Sequence, residues 1–254
     1  MTEPVTYTKV GPVAWLTIDR PDARNALNQA VREGLMAGMR RFEDDANAAV
    51  LVLTGTGDRA FSAGGDLKEM AEQELAVPAS DYVPIPGRNV EVSKPTIAAV
   101  NGVAFAGGFL LAQGCDLCIA ADHARFAVTE VKVGRGAPWA VPLPWLVAPR
   151  VAMEILLTGD PVDAQRAYEL GFVNRVMPYD ELNDTAQAMG EQIARNAPLS
   201  VAAARRTVHL AMAAAHEQAY READALWEPV YRSRDAQEGP SAFREKRAPQ
   251  WSGS

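Results

Sequence analysis

The chain has 254 residues, 48% hydrophobic and 22% charged, which is ample for one large domain or a domain with an appendage. A formal net charge of -7 argues against a generic nucleic-acid binder, which carries a basic balance. The opening MTEPVTYTKV lacks the apolar core of a secretory signal, and the longest apolar region, residues 96–112, is too short and glycine-broken for a membrane span.

In chain order, Val13–Ile18 and Val50–Gly55 read as strands on either side of a helix at residues 29–42. Residues 81–88, DYVPIPGR, form a candidate mobile loop, because Pro84 and Pro86 make a poor helix. Further strands are expected at residues 96–102, 116–121 and 125–130, with a helix starting near Gly107. Alternation of strands and helices points to an α/β fold. The adjacent pair at 116–121 and 125–130, with no helix between, departs from a simple doubly wound sheet. From about Pro144 the pattern turns helical. DAQRAYELGF starts with an Asp cap and ends at Gly171, and helices follow at 181–195, 199–215 and 217–231. The tail carries Arg244, Lys246 and Arg247 together, as a solvated cluster or a phosphate contact. The two cysteines, Cys115 and Cys118, have no second pair or nearby histidine to complete a zinc site, and read as small apolar thiols in a buried strand. Few cysteines and no signal fit a reducing, cytoplasmic setting.

Three overlapping motifs compete after the second strand. GTGDRA, residues 55–60, fits a dinucleotide fingerprint only if a helix opens at its glycines. AFSAG, residues 60–64, is a near miss to a nucleophile elbow around Ser62. That elbow needs a later histidine, yet His209 and His216 fall on helical patterns and His123 on a turn. SAGGDLKEM, residues 62–70, is a tight glycine turn entering a helix capped by Asp66, with bare backbone N–H groups at its start. A second glycine pair, Gly107 and Gly108, interrupts the apolar run NGVAFAGGFLLAQGCD, where nothing from residue 102 to 114 titrates. Two glycine turns can each supply one N–H to an oxyanion hole for a thioester enolate, with no Cβ blocking the approach.

With these motifs in this order, the sequence resembles the crotonase, or enoyl-CoA hydratase/isomerase, family over nearly its whole length. RPDARNAL, FSAGGDLKEM, NGVAFAGGFLLAQGCD, ARFAVTEVKVG, LTGDPVDAQRAYELGFVNRVMP and DAQEGPSAFREKR carry the resemblance. It implies a crotonase-like ββα spiral core at residues 1–195 and a helical C-terminal trimerisation region at 196–254. The oxyanion donors would be Gly65 and Gly107. Ala23, Arg24, Ala26 and Lys68 would lie along the coenzyme A moiety, and Ala63, Gly64, Asp66, Leu67 and Gly108 would complete the substrate turns. Phe243 and Lys246 would reach the nucleotide of a neighbouring subunit in a homotrimer or homohexamer. Coenzyme A enters as part of the acyl-CoA substrate. The resemblance calls for no metal or separate cofactor, and for no membrane or nucleic-acid partner.

Hydratases of that family carry two glutamates. The second is kept here as Glu130; the first position holds Leu110. Adding water to a 2-enoyl thioester suits two carboxylates, whereas one carboxylate suits a Δ3–Δ2 double-bond shift. The resemblance with this departure implies isomerase-type proton shuttling by Glu130. The alternatives are hydratase chemistry with Asp81 or Glu74 as second acid, a lyase or decarboxylase, or a catalytically weak CoA-binding subunit. A half-buried Glu130 beside an apolar acyl pocket is expected to have a raised pKa. GRGAPWAVPLPW, residues 134–145, replaces the small residues usual in hydratases, and Trp139 is expected to line the acyl pocket or pack in the core.

Overall fold

The computed structural model describes residues 3–72, 79, 81–133, 137–213, 229, 233–235, 238, 245, 247–248 and 250–254. The chain separates into two compact units, Met1–Gly190 and Glu191–Ser254. Among the described residues no helix is long and apolar enough to cross a membrane.

The first unit begins with β1 (Val5–Val10), β2 (Val13–Ile18), α1 (Gln29–Asp44), β3 (Val50–Gly55), β4 (Ala60–Ser62) and α2 (Leu67–Glu72). It continues with β5 (Thr96–Val100), β6 (Val103–Phe105), α3 (Gly107–Gly114), β7 (Leu117–Ala121) and β8 (Arg125–Ala127). Then come α4 (Leu143–Leu146), α5 (Pro149–Thr158), β9 (Val162–Asp163), α6 (Ala164–Glu169), β10 (Arg175–Met177) and most of α7 (Tyr179–Ala194). The second unit contains α8 (Pro198–Ala213).

The strands form a six-stranded sheet, β1-β2-β3-β5-β7-β10, and a four-stranded sheet, β4-β6-β8-β9. Successive strands alternate between them. β3, β5 and β7 enter the large sheet, and β4, β6 and β8 follow each in the small one. Helices α2 and α3 close two of these turns, which makes a ββα spiral. β3 and β5 are buried at every position, as parallel strands covered on both faces must be, and their sequences VLVLTG and TIAAV are apolar nearly throughout. Phe61, Phe109 and Phe126 lie fully or almost fully buried on the small-sheet side.

The expected strand at 96–102 stops at Val100, and β6 starts only at Val103, after Asn101. Its buried side chain accepts from the Gly55 N–H at 3.1 Å and donates to the Ala60 carbonyl at 3.1 Å, so it ties the corner between the sheets. The expected strand at 125–130 stops at Ala127, and Glu130 starts a 3-10 turn, Glu130–Val133. The neighbours β6 and β9 offer only three and two residues to pair with. Strands β1, β4, β6, β9 and β10 were not expected, and four of these are three residues or shorter. Such pieces are too short for periodicity to register. The cap of α6 is as expected, with Asp163 accepting from the Arg166 N–H at 2.7 Å and Gly171 in the left-handed region at φ +85. Most of the expected helix at 217–231 lies outside the described residues.

Residues 81–90 are irregular but anchored. Asn89 accepts from the Ile85 N–H at 2.7 Å and donates to the Val83 carbonyl at 2.9 Å, and Ile85 is buried. In the second unit, Asp235 accepts from the N–H groups of Ser252 and Gly253, and Arg247 pairs with Glu238 and Glu245. Arg244 and Lys246, the rest of the basic tail cluster, lie outside the described residues.

Candidate active site

The site is built from three segments that each leave a small-sheet strand. The first follows β4. Ser62 is fully buried, and its hydroxyl accepts from the Gly64 N–H at 3.2 Å, so it is a turn residue and no nucleophile elbow. Gly55–Ala60 opens no helix. Gly57 turns at φ +85 and β4 follows, so the dinucleotide motif has no helix N-terminus to offer a phosphate. Gly64 takes φ +95, and the chain then enters α2, where Asp66 accepts from the N–H groups of Lys68 and Glu69 at 3.2 and 3.4 Å.

The segment at residues 20–27 packs directly on this turn. Ala63 N–H donates to the Arg24 carbonyl at 3.0 Å, and Leu27 N–H to the Gly64 carbonyl at 2.8 Å. Ala23, Arg24 and Ala26, the expected coenzyme A contacts, therefore adjoin the glycine turn. Arg24 and Lys68 are exposed. Arg24 and Asn25 are both left-handed, at φ 51 and 54. The buried Asn25 amide donates to the Ala60 carbonyl at 2.6 Å and accepts from the Arg20 N–H at 2.9 Å, which holds the bend. Arg20 then bridges Asp66 at 3.0 Å and the Ala26 carbonyl at 2.8 Å. Burial pushes the Asp66 carboxyl up, but the Arg20 bond and charge together with the Glu69 and Lys68 N–H bonds outweigh it, and the net shift is downward. Arg32 repeats the arrangement with Glu69 at 2.7 Å while stacked on Tyr82 at 4.0 Å.

The second segment follows β6. Ala106 stands before α3 at φ 51 and ψ −118, a conformation that favours glycine. It is held by its own N–H, which donates to the Ala127 carbonyl at 2.9 Å, and by its carbonyl, which accepts from Leu110 at 3.0 Å. A Cβ on Gly108 would sit 2.1 Å from the Ser62 carbonyl oxygen, and one on Gly107 3.0 Å from Leu27 Cδ1 and 3.6 Å from the Gly65 nitrogen. Glycine is thus required at Gly108, where α3 meets the first segment. This contact brings the start of α3 beside Gly64 and Gly65. Among the described residues neither the Gly65 nor the Gly107 N–H donates to a backbone acceptor outside the regular elements. Replacing Ala106 by glycine is expected to raise the unfolding midpoint, because the relieved strain of about 1–3 kcal/mol exceeds glycine's added chain entropy. Thermal melting of the two proteins checks it.

The third segment follows β8. Glu130 is half-buried, and its Oε2 is enclosed with no hydrogen-bond donor among the described residues. Burial pushes its carboxyl above the usual range, opposed by its own backbone N–H and by a hydrogen bond from the Trp139 side chain. Leu110 on α3 is buried at 5% exposure, so no carboxylate occupies that position. Trp139 packs against Phe109 with ring centroids 6.2 Å apart, which makes it both a core contact and a neighbour of Glu130.

Asp81 is exposed in a groove of ≈ 350 Å³ along α1, with Arg32, Met36, Arg40 and Tyr82. Glu74, Phe243 and Lys246 lie outside the described residues, as does the side chain of Leu67. His123 donates from Nε2 to the Asp58 carbonyl at 2.7 Å, as a turn residue does, and burial keeps the Cys118 thiol well above its usual range. Gln113 was missed. Its signal was a single amide in the apolar helix, three residues after Leu110.

A ββα spiral with glycine turns leaving successive small-sheet strands defines the class: a crotonase-fold enzyme. The family profile described as enoyl-CoA hydratase/isomerase matches residues 8–254. The chain belongs to the enoyl-CoA hydratase/isomerase family. It is 38% identical to a carnitinyl-CoA dehydratase of Salmonella arizonae over 263 residues, covering 100% of each chain. Among solved structures, an enoyl-CoA hydratase of Mycobacterium tuberculosis matches with TM-score 0.90 and 37% identity, covering 100% of both chains. A probable enoyl-CoA hydratase/isomerase of Mycobacterium abscessus matches with TM-score 0.88, 39% identity and the same coverage.

Proposed function

We propose that the chain acts on acyl-CoA thioesters by moving a proton at C2 through Glu130, with isomerase-type chemistry as the leading form. The Gly65 and Gly107 N–H groups hold the thioester oxygen as it gains charge. Ala23, Arg24, Ala26 and Lys68 run along the coenzyme A moiety, and Leu110 and Trp139 face the acyl group. The Glu130 carboxylate removes a proton from C2 of a 3-enoyl thioester. The electron pair spreads through a dienolate onto the held oxygen. The same carboxyl returns the proton at C4, which leaves the double bond at C2–C3. The observation that carries this reading is the pairing of a half-buried acid, Glu130, with an apolar Leu110 on the helix that starts at Gly107.

A second reading is addition or elimination of water. It is favoured by the relatives named carnitinyl-CoA dehydratase and the structural neighbours named enoyl-CoA hydratase. The two readings separate by mass spectrometry of 2-enoyl- and 3-enoyl-CoA thioesters incubated in deuterated water. A double-bond shift with deuterium uptake supports the first, and a gain of one water supports the second. Absence of both binding and turnover rejects both. A cytoplasmic homotrimer or homohexamer completes the proposal. Exposed apolar side chains on and before α4 and α5, namely Val141, Trp145, Met153 and Leu157, support contact with a second copy. Light scattering measures the assembly.

A further inference from the structure

The two proposed oxyanion donors are backed differently. The N–H of Gly107 belongs to the Ala106–Gly107 peptide, whose carbonyl accepts from the Leu110 N–H at 3.0 Å in the first turn of α3. An eight-residue helix thus stands behind that donor. The N–H of Gly65 belongs to the Gly64–Gly65 peptide, and α2 beyond it has only six residues. Support for this peptide comes from elsewhere. The Gly64 carbonyl accepts from the Leu27 N–H at 2.8 Å, and Leu27 pairs with Gly65 in an isolated parallel bridge. A trans peptide unit is planar, with its C=O and N–H pointing in opposite directions. The Leu27 bond therefore sets the direction of the Gly65 N–H. The same rule carries back one step. The Leu27 N–H belongs to the Ala26–Leu27 peptide, whose carbonyl accepts from Arg20 Nη1 at 2.8 Å and from the Asn28 N–H at 3.1 Å. A guanidinium thus heads a relay of two peptides, each donating to the next, and the relay ends on the Gly65 N–H.

Resting on the reading of Gly65 as an oxyanion donor, we propose that Arg20 is a positioning residue that aims and polarises the Gly65 N–H through these two peptides. The thioester oxygen gains charge as the enolate forms. A donor with a cation behind it therefore favours the enolate over the uncharged thioester. Hydrogen bonds in a line strengthen one another, and a charged donor at the head makes the strongest bond of the line. Arg20 is fixed for that task. Its carbonyl accepts from the N–H groups of Ala23 and Asn25 at 3.0 and 2.9 Å, and Asp66 takes a bond from the same Nη1 at 3.0 Å. The carboxylate offsets part of the charge and holds the guanidinium at the Ala26 carbonyl. Asp66 follows Gly65 directly in the chain, so Arg20 is tied to both ends of the relay.

The test compares the wild-type chain with Arg20→Met and Arg20→Lys. Butyryl-CoA isotopically labelled at its thioester carbonyl is bound to each, and the carbonyl stretch is read by difference infrared spectroscopy. The wild type is expected to lower the stretch below that of butyryl-CoA free in water. Arg20→Met is expected to lose part of that shift, and Arg20→Lys, which keeps a charged donor, to restore it. In C2 deuterium exchange, kcat of the Met variant is expected to fall about tenfold with KM little changed, a fraction of the 10²–10³-fold that loss of a whole donor costs. An arginine that serves folding alone would lower the melting midpoint and leave the stretch in place, so an unshifted stretch in Arg20→Met overturns the relay. A Lys variant that only matches Met overturns it too. A wild-type stretch no lower than in water overturns the reading of Gly65 as a donor, and the relay with it. A crystal structure of the wild type with butyryl-CoA is independent of how the variants fold. The thioester oxygen is expected about 3 Å from the Gly65 nitrogen, with Arg20 still on the Ala26 carbonyl. The oxygen seated there with Arg20 turned away overturns the relay alone.

Discussion

Glu130→Gln is expected to lower C2 deuterium exchange by about 10³-fold, the usual contribution of a positioned general base, while leaving coenzyme A thioester binding intact. The same change is expected to raise the unfolding midpoint at neutral pH. Burial raises the Glu130 pKa in the folded chain above its unfolded value. A carboxyl with a raised folded pKa contributes stability that is fully present below its unfolded pKa and is lost as pH rises through the folded pKa. Above the folded pKa the wild type therefore holds an ionised carboxylate that its surroundings disfavour, and glutamine removes that penalty. The gain is expected to vanish at pH 4, where both states of the wild type bind the proton. Catalysis runs the other way, since the base must be ionised, so wild-type exchange should fall with acid at a pH above the ordinary glutamate range. Melting curves at two pH values and a pH profile of exchange check all three signs. A Gln variant that melts lower at neutral pH would show that Glu130 is held by partners strong enough to make it structural.

Gly108→Ala is expected to damage folding and chemistry together. The new methyl would lie 2.1 Å from the Ser62 carbonyl oxygen, a backbone atom inside the small sheet that cannot swing aside. Relief requires α3 to move away from β4, at a cost of about 1–3 kcal/mol for an overpacked site. The movement separates the Gly107 N–H from the Gly65 N–H, and loss of one oxyanion donor costs about 10²–10³-fold in turnover. Gly65→Ala is the contrast. Its methyl meets only the end of the flexible Met70 side chain, so its unfolding midpoint should stay close to that of the wild type. Equal melting of Gly108→Ala and Gly65→Ala would reject the tight α3–β4 contact. Denaturant titration and steady-state kinetics on the same preparations give both readings.

What the amino-acid pattern revealed depended on length and locality. β2, β3, β5 and β7 each carry five or six residues, largely apolar, and were legible from that run alone. The small sheet was hidden, because β4, β6 and β8 are three residues each and take their pairing from neighbours distant in sequence. The glycine turns were legible because bare backbone at a helix start has few other uses. The reason for each glycine was not, since the Ser62 carbonyl that excludes a side chain at Gly108 lies far along the chain. Glu130 was expected at the end of a strand and stands instead at the start of a 3-10 turn. Asn25 and Asn101 were passed over as ordinary polar residues. Each is buried and bonds to the Ala60 carbonyl, a convergence that no local pattern announces.

The order β4-β6-β8 in the small sheet has a consequence for how such enzymes diversify. Gly65, Gly107 and Glu130 each sit just past the end of one of these three neighbouring strands. Their spacing therefore starts from the strand-to-strand step of a β-sheet, about 4.8 Å. The sheet acts as a ruler with one residue of the proposed site at each mark. A group can be exchanged at one mark while the others keep their separation. Reaction type can then drift by single substitutions on a frame whose measure does not change.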